Sequence, residues 1–368
     1  MESDIGSRTT SIAAVFQGVE SGFQLESIPI PAPQGTEYLV RVLGCTICGS
    51  DLHSFQGRRH VSVPTVLGHE IVGEVVACGD DALQLDLRGN RIDIGSRITW
   101  SITTHCGNCF YCRRNLPQKC LHGMKYGHAD MSGRRALTGG MAEYCLLQPG
   151  TSIIVLDPEL TLAESCPINC AVATIAAAVD AIQFDAEQVV SVFGLGMLGL
   201  LTCAMASQAP VRNVVAVDPN PDRRELALRM GATHAVAPED YESCVQSLTE
   251  GHGCDLSFEC SGINNAFAQA LPNLRMGGAM VLVGAVFPGP DFPLPIERLV
   301  RRQIQLIGIH NYRPEHLRQA VEFVEQHRSR FPLDALVDPW LPLSEVTKAF
   351  DLSALQGSIR VGLLPQKS

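Results

Sequence analysis

One segment restricts the possible folds more than any other. Gln188–Phe193 is an unbroken apolar run of buried-strand length, and Gly194-Leu195-Gly196-Met197-Leu198-Gly199 follows at once as G-x-G-x-x-G. Leu198–Gln208 is then apolar and helix-forming. Strand, glycine turn and helix in this order open a parallel βαβ unit. The first glycine makes the turn, the second admits a pyrophosphate, and the third lets helix pack on strand. The helix N-terminus would face the phosphates. Asn213–Val217 reads as a second buried strand, and Pro221–Met230 as a charged helix stopped at Gly231. The alternation continues through Leu256–Glu259, Ala266–Leu274, Ala279–Val283 and a last strand, Gln305–Ile309. It predicts an α/β unit with a doubly wound parallel sheet. Asp218 ends the second strand, placed to bind the adenosine ribose and repel a 2′-phosphate, which favours NAD over NADP. Arg223 and Arg224 follow, either as the solvated face of that helix or as groups able to tolerate a phosphate.

The first third differs. Tyr38–Leu43, Ile71–Ala77 and Arg97–Ile102 are short β-branched runs between glycine turns, which predicts a compact, mostly antiparallel unit. From Cys170 to Ala181 the chain is Ala-rich and helical, and beyond Pro314–Gln326, an amphipathic helix, short mixed elements return. The α/β unit therefore interrupts another domain. The expected boundaries are 1–170 with 311–368, and 171–310 for the insert. A length of 368 residues suits two cores rather than one.

Charge and hydropathy exclude some roles. A formal charge of −10 repels a phosphate backbone and argues against nucleic-acid binding. No run approaches the ~20 uninterrupted apolar residues that cross a bilayer, and Met1–Thr10 is polar, without the basic and apolar regions of a signal peptide. A cytoplasmic, membrane-free protein is expected. In such a chain, 14 cysteines read as metal ligands, reactive thiols or small buried residues rather than as disulfides.

Cys106, Cys109, Cys112 and Cys120 form C-x2-C-x2-C-x7-C in a polar, basic stretch. Two-residue gaps let a turning backbone aim successive sulfurs at one centre, and four thiolates close a structural Zn²⁺ site. An iron–sulfur cluster uses the same ligand type, but a closed four-cysteine centre suits zinc. A second, dispersed set comprises Cys48, His69 and Cys170. One histidine and two cysteines are the ligands of a catalytic zinc, which acts as a Lewis acid. Each also has an ordinary reading as a core or turn residue, and spacing alone does not bring them together. Ser50 and His53 suit proton transfer, and Asp51 can orient His69.

Taken together, these motifs resemble the zinc-dependent medium-chain alcohol dehydrogenases, from about residue 11 to 365. Their order is Cys48-Gly49-Ser50-Asp51, Gly68-His69-Glu70, the four-cysteine lobe, Cys170 with Thr174, and the glycine fingerprint. The resemblance implies a GroES-like, mostly-β catalytic domain around a Rossmann domain, and two Zn²⁺ per chain. It makes Cys48, His69 and Cys170 the catalytic zinc ligands, and Glu70 a conditional fourth ligand or a group behind them. Ser50 and His53 become a proton relay through the cofactor ribose, and Thr174 a nicotinamide contact. It also implies a homodimer or homotetramer paired through the Gln305–Ile309 edge, and a substrate held between zinc and nicotinamide. Lys125-Tyr126-Gly127-His128, Val286-Phe287-Pro288-Gly289 and His310-Asn311-Tyr312-Arg313-Pro314 resemble a subgroup associated with phosphonate catabolism. Gly49 departs from the family, where an arginine there often contacts the pyrophosphate.

The implied reaction moves a hydride between an alcohol and NAD⁺, or between NADH and an aldehyde or ketone. A non-redox lyase or isomerase using transient oxidation in the same site is the alternative. Arg58 and Arg59, with Tyr126 and His128, would suit a phosphonate or carboxylate on the substrate; the other reading leaves both arginines as solvated surface charges.

Overall fold

A computed structural model describes residues 8–355 and 357–366. It separates into two compact units. The first comprises the described residues up to 173, with 313–328 and from 333 onward; the second comprises 174–312 and 329–332. The division falls at 173/174 and 312/313, not at 170/171 and 310/311. The turn around Cys170 explains the shift at the first boundary. Asn169 hydrogen-bonds to the backbone of His69, Ile71 and Trp100, which ties this turn to the first unit's strands.

The second unit holds a six-stranded, wholly parallel sheet. Its spatial order is His234–Val236, Asn213–Val217, Val189–Phe193, Cys254–Glu259, Leu274–Leu282, Gln305–Gly308. Numbered within the unit, this is 3-2-1-4-5-6, the Rossmann order, whose direction of winding reverses beside the first strand. That strand carries the glycine turn at its C-terminal end. Local chemistry sets the helix ends. Asn220 caps Pro221–Arg229 by accepting from the Asp222 and Arg223 N–H groups, and Gly231 follows at φ +93°. Phe193 packs edge-on against Tyr241 at 4.6 Å in the core. The fifth strand starts at Leu274, five residues before the expected Ala279. Met276 and the two glycines after it bulge outward, with Gly277 at φ +71°, and this hides the strand's alternation.

The first unit is built on a sheet ordered Val337–Pro342, Arg360–Leu364, Tyr38–Thr46, Glu70–Cys78, Arg97–Trp100, Ile153–Val155, with Tyr144–Leu147 also paired to Tyr38–Thr46. All its pairings except the first are antiparallel. A three-stranded sheet, Phe23–Pro29, Thr10–Phe16, Thr65–Val66, adds to the same core. Trp100, Tyr126, Phe16, Ile71 and Leu67 are fully buried there. The helical run Leu162–Asp180 is long and apolar enough by composition to cross a bilayer, although Glu164 and Asn169 interrupt its sequence. It is mostly buried in the protein, as a core helix is.

Candidate functional site

The strand Tyr38–Thr46 delivers Cys48 to the N-cap of the helix Gly49–Phe55, in extended backbone. Asp51, in the first turn, is fully buried and joins two segments. One carboxylate oxygen accepts from the Cys48 N–H at 2.9 Å. The other accepts from the Gly68 N–H at 3.4 Å and lies 3.3 Å from His69 Nδ1. Gly68 itself must be glycine: it sits at φ +90°, and a Cβ there would be 2.6 Å from the Cys45 sulfur. Cys170 lies in a π-helical turn, Ile168–Val172, a wide turn often found at functional sites. Asn169 fixes that turn. Its Nδ2 donates to the carbonyls of His69 at 3.0 Å and Trp100 at 2.8 Å, and its Oδ1 accepts from the Ile71 N–H at 3.3 Å.

These constraints bring Cys48, His69 and Cys170 together, with ligand atoms all within 4.8 Å of one another. The donor set of two sulfurs and one imidazole fits a catalytic Zn²⁺. The Cys170 thiol, with Arg360 and His69 behind it, outweighs burial and holds Cys48 well below the ordinary thiol range. Burial works against a charged His69, but Asp51 and then Cys48 push it up to about 9. Ser50 Oγ is 3.3 Å from His69 Nε2, and His53 follows three residues on, along the same helix face.

Glu70 stands apart from the cluster. It is fully buried, but its oxygens take hydrogen bonds from Arg360, at 3.1 and 3.3 Å, and from Thr46. Burial pushes its carboxyl up to about 7 against the pull of Arg360. In this arrangement it is a group behind the ligands rather than one of them. Arg360, whose Nη2 also lies 3.7 Å from the Cys48 sulfur, has no place in the sequence reading. The signal was a charged residue opening an otherwise apolar strand, Arg360–Leu364. Tyr126 is corrected too. It is fully buried, its hydroxyl bonded to Thr151 Oγ1 and the Gln148 N–H, so it faces the core. Arg58 is exposed, whereas Arg59 is half-buried and bonded to His128.

Cys106, Cys109, Cys112 and Cys120 also converge within 4.8 Å. A zinc–sulfur arm of ~2.3 Å gives a tetrahedron with sulfur–sulfur edges of about 3.8 Å. The Cys109–Cys120 sulfurs are 3.9 Å apart. Backbone N–H groups around Cys109 bring it down to about 6, and burial with neighbouring thiols pushes Cys112 up to about 12. Phe110 and Leu121 beside them are exposed, so no apolar core holds this lobe in shape. The remaining cysteines are free thiols: Cys45, Cys145, Cys166, Cys203 and Cys254 are buried, Cys244 and Cys260 partly so, and Cys78 is exposed on a strand end.

In the second unit each fingerprint glycine shows a separate need. Gly194 is at φ +84°, crowded by Ser261, and a Cβ on Gly199 would lie 1.9 Å from the Gly194 carbonyl oxygen. A Cβ on Gly196 would meet nothing within 4 Å. That open surface caps the helix Met197–Ala206, whose first N–H groups lack partners within the helix. A pyrophosphate fits such a cradle. Leu195 and Met197 are buried, and Leu198 is partly buried. The Asp218 carboxylate accepts from the Leu195 N–H at 2.7 Å and the Asn220 N–H at 2.9 Å, which aims it beside the turn. The Arg224 guanidinium is held by the Asp218 and Pro219 carbonyls, and the Arg223 N–H bonds to Asn220. Thr174 lies half-buried in the helix Ala173–Asp180.

Comparisons with known proteins match this architecture. The alcohol dehydrogenase GroES-like domain model covers residues 34–157, and the zinc-binding dehydrogenase model covers 197–326. The chain is 28% identical to the S-(hydroxymethyl)glutathione dehydrogenase of Haemophilus influenzae over 97% of both proteins. It is 29% identical to an alcohol dehydrogenase of Geobacillus stearothermophilus, covering 94% of this chain and 97% of the relative. The crystal structure of an alcohol dehydrogenase from Thermotoga maritima superposes with a TM-score of 0.90 at 27% identity, covering 97% of this chain and all of the other. Two matched domains in family order, on a fold that superposes along nearly its whole length, make this chain a member of the zinc-dependent medium-chain alcohol dehydrogenase family.

Proposed function

We propose that the protein transfers a hydride between an alcohol and NAD⁺, or between NADH and an aldehyde or ketone, at a zinc centre held by Cys48, His69 and Cys170. The observation that carries this reading is the convergence of those three side chains from distant parts of the chain. When bound, zinc supplies Lewis acidity, which lowers the pKa of an alcohol hydroxyl and polarises a carbonyl. The chain's own groups handle the rest. Asp51, facing His69 Nδ1, fixes the ring and leaves Nε2 as its donor atom. Ser50 takes the hydroxyl proton and passes it towards His53 along the same helix face. Arg360 and Glu70 hold opposite charges in contact behind Cys48, so that the ligands stay fixed in a low-dielectric environment.

In the second unit, Gly194 to Gly199 cradle the pyrophosphate through backbone N–H groups, with Gly49 lending no arginine to that task. Asp218 takes the ribose hydroxyls, which makes NAD the cofactor rather than NADP, and Thr174 touches the nicotinamide. The lobe of Cys106, Cys109, Cys112 and Cys120 holds a second, structural zinc. We further propose a cytoplasmic homo-oligomer paired through the Gln305–Gly308 edge, near which Ile296 and Val300 are exposed. A panel of primary and secondary alcohols, offered with NAD⁺ and NADP⁺ and read as reduced-nicotinamide absorbance, tests the reading. NADH formation is expected with at least one alcohol and a preference for NAD⁺. Carbonyl or dehydrated products without net NADH would replace this reading with a non-redox one.

A further inference from the structure

Three ligands drawn from distant segments must be held at fixed separations. Asp51 supplies one link, since it accepts from the Cys48 N–H and faces His69 Nδ1. Cys170 is tied in by the side chain immediately before it. Asn169 is fully buried, and its amide bonds to both strands beneath the cluster. The ladder between Glu70–Cys78 and Arg97–Trp100 stops at Gly73 and Ile98. Beyond that point, side chains replace strand pairing. Thr99 Oγ1 donates to the Ile71 carbonyl at 3.1 Å. The Asn169 amide spans the same gap. Its Oδ1 accepts from the Ile71 N–H at 3.3 Å, while its Nδ2 donates to the carbonyls of His69 at 3.0 Å and Trp100 at 2.8 Å.

Bonds to the His69 carbonyl and the Ile71 N–H flank Glu70, as the peptide groups of an added parallel strand would. The side chain therefore stands in for a peptide group that the sheet lacks. Its chemistry is suited to this task, because a primary amide offers two N–H donors and a carbonyl acceptor without charge. A carboxylate there would set an acceptor against two carbonyls, and alanine removes all three bonds. The turn carries the constraint onward. The Val172 N–H closes it on the Pro167 carbonyl at 3.2 Å, the wide spacing of a π-helix. Successive Cα atoms are about 3.8 Å apart, so whatever fixes Asn169 also fixes the backbone of Cys170. The bonded carbonyl belongs to His69, itself a ligand. One side chain thus sets the backbone of one ligand against that of another.

We propose that Asn169 is a positioning residue for the metal: it fixes the separation of His69 and Cys170, and so sets the zinc affinity and thiolate coordination of the open centre. This rests on the reading of Cys48, His69 and Cys170 as a zinc centre. Without the amide, Asp51 still joins Cys48 to His69, and Cys170 is the ligand set loose.

The test follows zinc release from the wild type, Asn169→Ala and Thr99→Val in a graded series of chelator, with the zinc left on each chain measured by atomic emission. Thr99→Val removes a buried bond to the same Ile71 but joins no two ligands, so it reports the effect of a lost bond alone. The four-cysteine lobe lies in the same unit and is the internal reference. In Asn169→Ala one zinc per chain should leave at about 10–100-fold lower chelator, with the lobe zinc unmoved. Thr99→Val should follow the wild type. Cobalt(II) placed in the open centre, with zinc kept in the lobe, gives a second readout. Its thiolate charge-transfer absorbance should fall by about half in Asn169→Ala, as one thiolate of two is lost. Asn169→Ser, whose hydroxyl can keep some of these bonds, serves should alanine not fold, and its release should lie between the two. Release from both Asn169 variants that coincides with the wild type would overturn the proposal and leave the zinc centre standing. So would loosening of both zinc ions together, or an equal effect of Thr99→Val. A wild type that holds zinc in the lobe alone would overturn the zinc reading and, with it, the proposal.

Discussion

Gly196 and Gly199 lie three residues apart in one turn, yet they should fail in opposite ways when changed to alanine. A Cβ on Gly199 would sit 1.9 Å from the Gly194 carbonyl oxygen, about 1 Å inside the 3.0 Å that Cβ atoms essentially never breach. The obstacle is backbone, so the helix Met197–Ala206 must move off its strand. Overpacking of this kind costs about 3 kcal/mol and lowers the melting temperature of a domain this size by roughly 6–12 °C. A Cβ on Gly196 meets nothing within 4 Å, and the backbone there, at φ −76°, suits alanine. Its cost is the cap preference alone, about 1 kcal/mol or less. If the open surface over Gly196 receives the pyrophosphate, that methyl group should weaken NADH binding by at least about tenfold, or ~1.4 kcal/mol. Scanning calorimetry gives the stability and quenching of nucleotide fluorescence gives the affinity. Gly196→Ala with wild-type affinity would refute the placement of the phosphates. Gly199→Ala with wild-type stability would refute the packing argument.

Three further outcomes are expected. Asn169→Ala removes three buried hydrogen bonds and leaves backbone partners unsatisfied, so it should cost about 3 kcal/mol; both tryptophans, Trp100 and Trp340, lie in the first unit, so urea unfolding read by tryptophan fluorescence reports that unit alone. Glu37 is buried against Arg134, and although burial raises its carboxyl, the bonds from Arg134 and the Gln34 N–H leave it below the ordinary value. A lowered folded pKa stabilises above the unfolded value and is lost as pH falls through the folded one, so Glu37→Gln should flatten the loss of urea resistance below about pH 4.5. Cys112→Ser should release one zinc per chain and expose the Cys106–Cys120 lobe to protease, since no core supports it; an uncut lobe at full zinc content would argue against the structural site.

Local patterns carried the second unit in the sequence. Val189–Phe193, Asn213–Val217 and Cys254–Glu259 are largely buried, a helix follows each within a few residues, and the glycine turn marks where the order begins; the edge strands His234–Val236 and Gln305–Gly308 are half-buried or exposed and carry a weaker signal. The four-cysteine lobe was equally legible because its ligands lie within one turning segment. The reacting centre was not, because Cys48, His69 and Cys170 meet only through the sheet of the first unit; residue types named them, and the family resemblance joined them. Asn169 and Arg360 escaped notice because their roles lie in bonds to distant backbone and side chains. The resemblance gave Glu70 as a conditional fourth ligand or a group behind the ligands; its carboxylate is bonded to Arg360 and Thr46, partners that lie far along the chain. Tyr126 beside His128 appeared part of the same surface, yet its hydroxyl is committed to Thr151 in the core.

In the proposed reaction, oxidation of an alcohol depends on a zinc centre formed by Cys48, His69 and Cys170. Zinc content by atomic emission, measured with NADH formation on wild type and Cys48→Ala, tests it most directly. Two zinc ions per wild-type chain, and one in a folded variant that forms no NADH, is the predicted result. Wild-type activity in Cys48→Ala, or equal zinc content in the two proteins, would contradict it.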